Sequence, residues 1–261
     1  ILKRMLSLLV QFIYRQSDKI FISSRSMKSS IKEKIRSKNF KEIYYMPNWA
    51  EDNIFEKSVD FKKYLSLMPS GFKIMFAGNI ASGQDIPSLL KTASILKRSN
   101  NIKFIFVGDG TLKNYLVDQI RKLKLDKTVY YLGSFPVTEM ASLYYHADMM
   151  MLSLRDEYIY SCTIPGKLQG YLASKKAVAA MISGETNRII KQASCGITVE
   201  AENYTKFASE ILKISKIKPK LLKEKEENGY KYYQENFKKK IIIENFIERV
   251  SLWDQRKNRL N

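Results

Sequence analysis

The sequence predicts an α/β fold, a parallel sheet with helices on both faces. Three apolar runs that read as strands close on glycine: 73–77 (KIMFA) before Gly78, 103–107 (KFIFV) before Gly108, and 129–132 (VYYL) before Gly133. Helical segments separate these runs, and strands alternating with helices argue parallel pairing through crossovers. Hydrophobic residues make up 45% of the 261 positions, enough to build one large domain or two small ones.

Taken in order, residues 1–15 read as an amphipathic helix, with Lys3, Arg4 and Arg15 set against Leu, Ile and Phe. Residues 19–23 (KIFIS) form a short strand, and Ser24 or Ser26 caps a helix over 27–37. The run 43–46 leads into Pro47-Asn48-Trp49, a turn signal, and 52–70 read as a linker with some helix. The alternation then gives strand 73–77, helix 85–98, strand 103–107, helix 112–123, strand 129–132, helix 138–146 and strand 149–154. Helix 166–174, strand 177–181, helix 185–192 and strand 196–199 complete it. Helices over 204–214 and roughly 222–252 follow, with 216–227 expected as a charged, exposed connection. Ligands of such sheets bind at the carboxyl ends of the strands, so the glycine turns are expected to surround one crevice.

The formal charge of +19 favours anionic partners: nucleic acid, acidic lipid headgroups or phosphorylated small molecules. A lysine-rich bias spread over solvated faces explains the same charge equally well. No arginine-rich tract interleaves with aromatics, and no zinc-finger or basic-zipper pattern occurs, so nucleic acid is left out. Cys162 and Cys195 lie far apart without a CxxC, which argues against a disulfide framework or structural zinc and for a reducing cytoplasm. Apolar stretches such as 6–14 are too short to span a bilayer, and 1–16 lacks a secretory cleavage pattern. A chain opening on Ile is expected to be either a piece of a longer protein or a trimmed form of one.

The most informative stretch is 152–180, LSLRDEYIYSCTIPGKLQGYLASKKAVAA. An apolar strand ends in Arg155-Asp156-Glu157, a short polar loop follows, and Thr163-Ile164-Pro165-Gly166-Lys167 opens a helix. A helix start carries unpaired N–H groups and the positive end of the dipole, which together seat an anion such as a diphosphate. Lys167 in the first turn opposes that dipole, so stability alone does not select it; a phosphate ligand does.

This block resembles a known family when joined with Gly78-Asn79-Ile80, Gly108-Asp109-Gly110, Gly133 and Tyr145-His146-Ala147-Asp148 in the same order. The chain is similar to the C-terminal, donor-binding half of family 4 glycosyltransferases, whose two Rossmann-like domains form the GT-B fold. Within it, SLRDEYIYSCTIPGKLQGYLASKKAV resembles a subgroup that builds bacterial surface polysaccharides from UDP-activated sugars, fucosamine-type sugars included. The resemblance runs over 1–256 and implies three parts. Residues 1–60 match the last part of an acceptor domain plus a linker, through Ser17-Asp18-Lys19-Ile20 and the Pro47-Asn48 turn. Residues 70–215 are the Rossmann-like donor-nucleotide domain, and 216–261 are C-terminal helices, the last of which, about 235–250, crosses back toward the N-terminal part. Most of the acceptor half is expected to lie outside this sequence.

The resemblance also implies roles. Gly78 lets backbone approach the phosphates. Where the family carries Arg and Lys after this glycine, the chain has the neutral Asn79 and Gln84. Asn79 is then expected to donate hydrogen bonds, and phosphate neutralisation to fall on Lys167 and the turn containing Thr163, Pro165 and Gly166. Arg155 is either a further phosphate ligand or a rim cation bridging Asp156 or Glu157. Gly108 opens the next turn, braced by the Asp109 side chain. Gly133, Ser134 and Phe135 run beside the nucleobase, with Phe135 either packing on it or belonging to the core. Many relatives carry two glutamates eight residues apart; here those positions are Cys162 and Gly170. Gln169 is left to serve the ribose, and Asp156 and Glu157 to face the sugar. No catalytic residue is assigned, and His146 is expected to be structural or surface. No cofactor or metal is expected, since the helix dipole and basic groups hold the leaving diphosphate.

The implied activity is retaining transfer of a sugar from a UDP-sugar to a polyprenyl-linked or saccharide acceptor, in the cytoplasm. Residues 1–45 carry eleven Lys/Arg against three Asp/Glu, which either draws the chain to an acidic membrane surface or forms a solvated face. The alternative is a nucleotide-sugar-binding module or subunit without activity of its own, which needs an N-terminal acceptor-domain chain.

Overall fold

The structure, a computed structural model, describes residues 2–35, 42–51, 54 and 59–258. The expected helix end at 36–37 and linker residues 52, 53 and 55–58 lie outside them. The chain alternates from its second lobe onward as the sequence predicts. Six strands, β3 (Phe72–Ala77), β4 (Ile102–Val107), β5 (Val129–Gly133), β6 (Met149–Ser153), β7 (Val178–Met181) and β8 (Gly196–Val199), pair in parallel throughout. Across the sheet they run β5-β4-β3-β6-β7-β8, so the order reverses between β3 and β6. That reversal is the switch point of a doubly wound sheet, where a crevice opens beyond the strand ends.

Period-two alternation sends neighbouring side chains to opposite faces, and both faces are buried. Ile74 and Phe76 join one core with α3 (Ile86–Leu96), α4 (Lys113–Lys122) and α9 (Tyr204–Ile214). Met75 and Ala77 join the other, with α5 (Met140–Tyr145), α7 (Lys167–Ala173), α8 (Glu185–Ala193) and α10 (Pro219–Asn236). Two expectations are corrected here. Residues 216–227 are mostly exposed, as expected, but most of them are helix rather than connection: α10 begins at Pro219, a residue suited to the first helical turn, and packs on α7. The helical stretch expected over 222–252 is two helices, α10 and α11 (Lys239–Asn258), broken beside the fully buried Phe237, so the last helix starts and ends later than the expected 235–250.

A smaller lobe precedes this sheet. It holds α1 (Leu2–Gln16), β1 (Lys19–Ile22), α2 (Met27–Ile35) and β2 (Glu42–Tyr45), with β1 and β2 parallel. Its core is small: Ile20, Ile22, Ile31 and Ile35. α1 turns its Ser7–Val10–Gln11–Tyr14 side inward and leaves Leu2, Met5, Leu6, Leu9, Phe12 and Ile13 exposed, Leu2 at 70%. An apolar helical stripe facing outward is the reverse of what burial alone would select. No helix of the described residues is long and apolar enough to cross a membrane.

α11 runs back over the small lobe. Phe246 packs on Phe21 with ring centroids 4.9 Å apart, Arg249 lies 5.3 Å from the Tyr44 ring, and Lys239 pairs with Glu51 at 3.5 Å. Between the lobes, Ser26 Oγ donates to Glu185 Oε2 at 2.7 Å, and Arg188 holds the other carboxylate oxygen at 2.5 Å. Burial pushes the Glu185 carboxyl up, but these bonds outweigh it and hold the group below the usual range.

Candidate functional site: the crevice between β3 and β6

The sheet parts where the crevice begins. β3 and β6 pair only at Ile74–Met149 and Met75–Met150. Beyond that the Ala77 peptide groups turn to a side chain: the buried Tyr171 hydroxyl accepts from Ala77 N and donates to Ala77 O, at 3.1 Å each. Tyr171 thus satisfies backbone groups left by the parting strands, where an unmet polar group would be costly.

Gly78 follows at φ +131°, a region that side chains strain to enter. A Cβ there would sit 2.7 Å from Lys167 Cε, so the glycine also makes room for the lysine. Lys167 reaches across from α7, places its ammonium 3.8 Å from the centroid of the Phe76 ring and donates to Gln84 Oε1 at 2.6 Å. Among the described residues no carboxylate pairs with it, and burial is the sole cause that lowers its pKa to about 7. A cation taken out of water with only an amide and an aromatic face is destabilising unless something else compensates it. Lys167 stands in the first turn as expected: α7 starts there, and the side chain folds inward over Gly78.

The backbone at Gln84 is held from both sides. It ends a single 3-10 turn (Ser82–Gln84), its carbonyl accepts from the Ser153 hydroxyl, and Gly83 O accepts from Arg155 N at 3.1 Å. Asp85 follows at φ +46°, where its carboxylate caps α3 by accepting from Ser88 N. Burial raises the Asp85 pKa.

The neighbouring glycine turns line up along the strand ends. Gly78 N donates to Val107 O at 2.9 Å and Gly108 N to Gly133 O at 2.8 Å, so three successive turns stack. Asn79 is exposed beside Gly110. Asp109 braces its loop as expected: Gly110 N donates to it at 2.7 Å, which lowers its pKa, and Lys113 lies 3.4 Å away. Ser134 is exposed, while Phe135 is half-buried with its ring 5.0 Å from Tyr64, edge-on. Of the two alternatives for Phe135, the observed contact is with the core.

On the β6 side, Asp156 and Glu157 are exposed at the rim. Asp156 N donates to Glu202 at 3.1 Å, and Arg155 pairs with Glu157 at 3.6 Å, which is the bridging alternative for that arginine. The loop expected after them contains a short helix, α6 (Tyr158–Ser161). Thr163 does not cap α7; its hydroxyl donates to Ile159 O at 2.6 Å, and its carbonyl accepts from Thr186 at 3.0 Å. Pro165 O accepts from Leu168 N at 2.9 Å, and Gly166 occupies the cap position without a side-chain bond. Gln169 departs most from its expected place. It is fully buried and donates to Asn48 O at 3.3 Å, so it braces the turn between the lobes. His146 is buried too, with Nε2 2.7 Å from Lys63 O, a structural role.

The structure therefore brings Gly78, Gln84 and Lys167 into contact and aligns Gly108 and Gly133 beside them. Asp156, Glu157 and Ser134 are set at the rim, and Gln169 is withdrawn. Phe76, Ser153 and Tyr171 belong to the site and were not anticipated. Alternation along β3 places Phe76 one step before Ala77 on the other face, a legible signal; nothing in the sequence announces Tyr171.

Residues 71–216, more than half of the chain, match the family described as "Glycosyl transferases group 1". The probable glycosyltransferase WbjE of Pseudomonas aeruginosa is 26% identical over 203 residues, covering 74% of this chain and 48% of its own length. The chain spans about half the length, or less, of the curated relatives it matches. Among solved structures, sucrose-phosphate synthase from Thermosynechococcus elongatus superposes with a TM-score of 0.78 at 14% identity, over 98% of this chain and 62% of that one. HepE from Anabaena, crystallised with UDP and glucose, gives 0.75 at 15% identity, over 94% and 66%. These likenesses show a Rossmann-like parallel α/β fold of the kind found in GT-B glycosyltransferases. With more than half of its residues in that match, the chain belongs to the glycosyl transferases group 1 family.

Proposed function

We propose that this chain is the donor-binding part of a glycosyltransferase that moves a sugar from a UDP-sugar to a lipid-linked or saccharide acceptor. One observation carries the reading: a largely buried lysine that pairs with no carboxylate among the described residues, at the switch point of a doubly wound sheet, over a glycine that leaves it room. A diphosphate supplies the missing charge, and its departure as UDP needs that charge stabilised. Donor-binding residues in this reading are Gly78, Asn79, Gln84, Gly108, Gly133, Lys167 and the Thr163–Gly166 turn, with Asp156 and Glu157 toward the sugar. HepE, solved with UDP and glucose, supports the choice of ligand class. Retention of configuration, no metal, a fucosamine-type donor and a role in surface polysaccharide synthesis complete the proposal.

We read residues 1–60 as acceptor-domain remnant and linker, 70–215 as the donor domain, and 216–261 as returning helices. The outward apolar stripe of α1, flanked by Lys3, Arg4 and Arg15, suits the acidic cytoplasmic face of a membrane, where a polyprenyl-linked acceptor resides. The same stripe and the two-stranded β1–β2 sheet favour a second reading, in which the chain binds donor but turns over only with an N-terminal half; two strands alone are marginal. Calorimetry with UDP tests the first reading, with saturable binding expected and weakened by ~1–3 kcal/mol in Lys167→Ala. Sugar transfer assayed with and without an added N-terminal half separates the second.

A further inference from the structure

We infer that Gln84 is a positioning residue whose neutral amide oxygen holds the Lys167 ammonium over Gly78 without cancelling its charge, leaving an incoming diphosphate as its first counter-ion. The inference rests on the donor-site reading above.

The geometry is specific. Lys167 Nζ sits 2.6 Å from Gln84 Oε1. The backbone that carries Gln84 is anchored, its own carbonyl to Ser153 and the preceding one to Arg155. The ammonium meets uncharged groups: the Phe76 ring of β3, Gly78 just beyond that strand, and Gln84 of the 3-10 turn, and among the described residues no carboxylate pairs with it. Of the nearby charged groups, Arg155 pairs with Glu157, and Asp85 turns one carboxylate oxygen to Ser88 N at the start of α3 while its other oxygen is buried without a partner among the described residues. An acidic residue at position 84 would close a buried ion pair and quench the site; an apolar one would leave the ammonium without a partner. A glutamine avoids both.

Two consequences follow. The ligand-free ammonium is only partly protonated near pH 7, because burial alone acts on it. Diphosphate binding therefore draws in protons, since the anion favours the charged form.

The test uses the full chain and two variants, Gln84→Glu and Gln84→Met. Lysines labelled with ¹³C at Cε are titrated by NMR without ligand, and UDP affinity is measured by calorimetry from pH 6 to 9. In the unaltered chain the Lys167 resonance titrates near 7; in Gln84→Glu it moves up by more than one pH unit. UDP affinity falls tenfold or more in Gln84→Glu and a few-fold in Gln84→Met, although the glutamate variant is the more stable protein. In the unaltered chain affinity declines as the lysine deprotonates, with Gln84→Glu serving as control for ionisation of the nucleotide itself. A purely structural role ranks affinity by stability and leaves the pH profile unmoved. A Lys167 resonance that ignores Gln84→Glu, or UDP bound as tightly by that variant as by the unaltered chain, overturns the inference. Refusal of UDP by the unaltered chain overturns the donor-site reading instead, while the NMR titration still decides the role of Gln84.

Discussion

Replacing Lys167 by methionine should strengthen the ligand-free fold while weakening nucleotide binding. Burial lowers the lysine pKa from 10.5 to about 7. In the unfolded chain the group stays protonated up to its ordinary pKa, whereas in the folded chain it loses its proton near 7. The unfolded state thus binds more protons between those values, and stability rises with pH across that window. Below it both states are charged and the full burial cost stands. Each tenfold loss of proton affinity on folding costs about 1.4 kcal/mol, which sets an upper bound of ~5 kcal/mol. Relaxation and water penetration reduce what a variant recovers to ~1–4 kcal/mol. Methionine keeps most of the stem's packing on Phe76 and removes the charge. Denaturant titration at pH 6 and again near pH 10 reads the effect. The variant should gain stability at pH 6 and little or nothing near pH 10, and it should lose UDP binding by ~1–3 kcal/mol. A variant equally destabilised at both pH values would refute the reasoning, because the lysine would then be contributing packing and no buried charge.

Gly78→Ala should abolish UDP binding, since its Cβ falls 2.7 Å from Lys167 Cε and φ is +131°; the backbone strain costs ~1–3 kcal/mol, read as a drop in denaturant midpoint. Glu185→Ala should loosen the contact between lobes, exposing the Ser26 segment to faster amide exchange, because the carboxylate accepts from both Ser26 and Arg188. The lowered Glu185 pKa adds a sign: its stabilising contribution, present above the ordinary carboxylate pKa, is lost as pH falls through the folded value, so the advantage of the unaltered chain over Glu185→Gln should shrink in acid. Leu9→Asp and Phe12→Asp, both on the exposed stripe of α1, should leave stability within about 0.5 kcal/mol yet abolish co-sedimentation with vesicles rich in acidic lipid. Unchanged sedimentation would remove the membrane proposal.

How far the sequence reaches depends on which signal each element carries. The strands of the second lobe are short apolar runs closed by Gly78, Gly108 and Gly133, and period and punctuation agree, so strands and crossovers are legible. α6 is four residues with no side-chain cap, too short for periodicity to register. The start of α10 is hidden because lysines and glutamates dominate 216–227, while the contacts that hold the helix, through Gly229 and Tyr233, come later in the chain. In the site, residue type and place single out Lys167 but carry no direction. Whether a first-turn lysine points to solvent or folds under Gly78 depends on a partner 83 positions away. Gln169 shows the same gap in reverse: adjacency to the ribose position suggests a ligand contact, and the helix face it occupies turns it toward Asn48 instead.

The most direct measurement is a crystal structure of the chain soaked with UDP. Phosphoryl oxygens within hydrogen-bond reach of Lys167 Nζ, close over the Gly78 backbone, are the expected result. Lys167 still bound to Gln84 with the nucleotide lodged elsewhere would contradict the account.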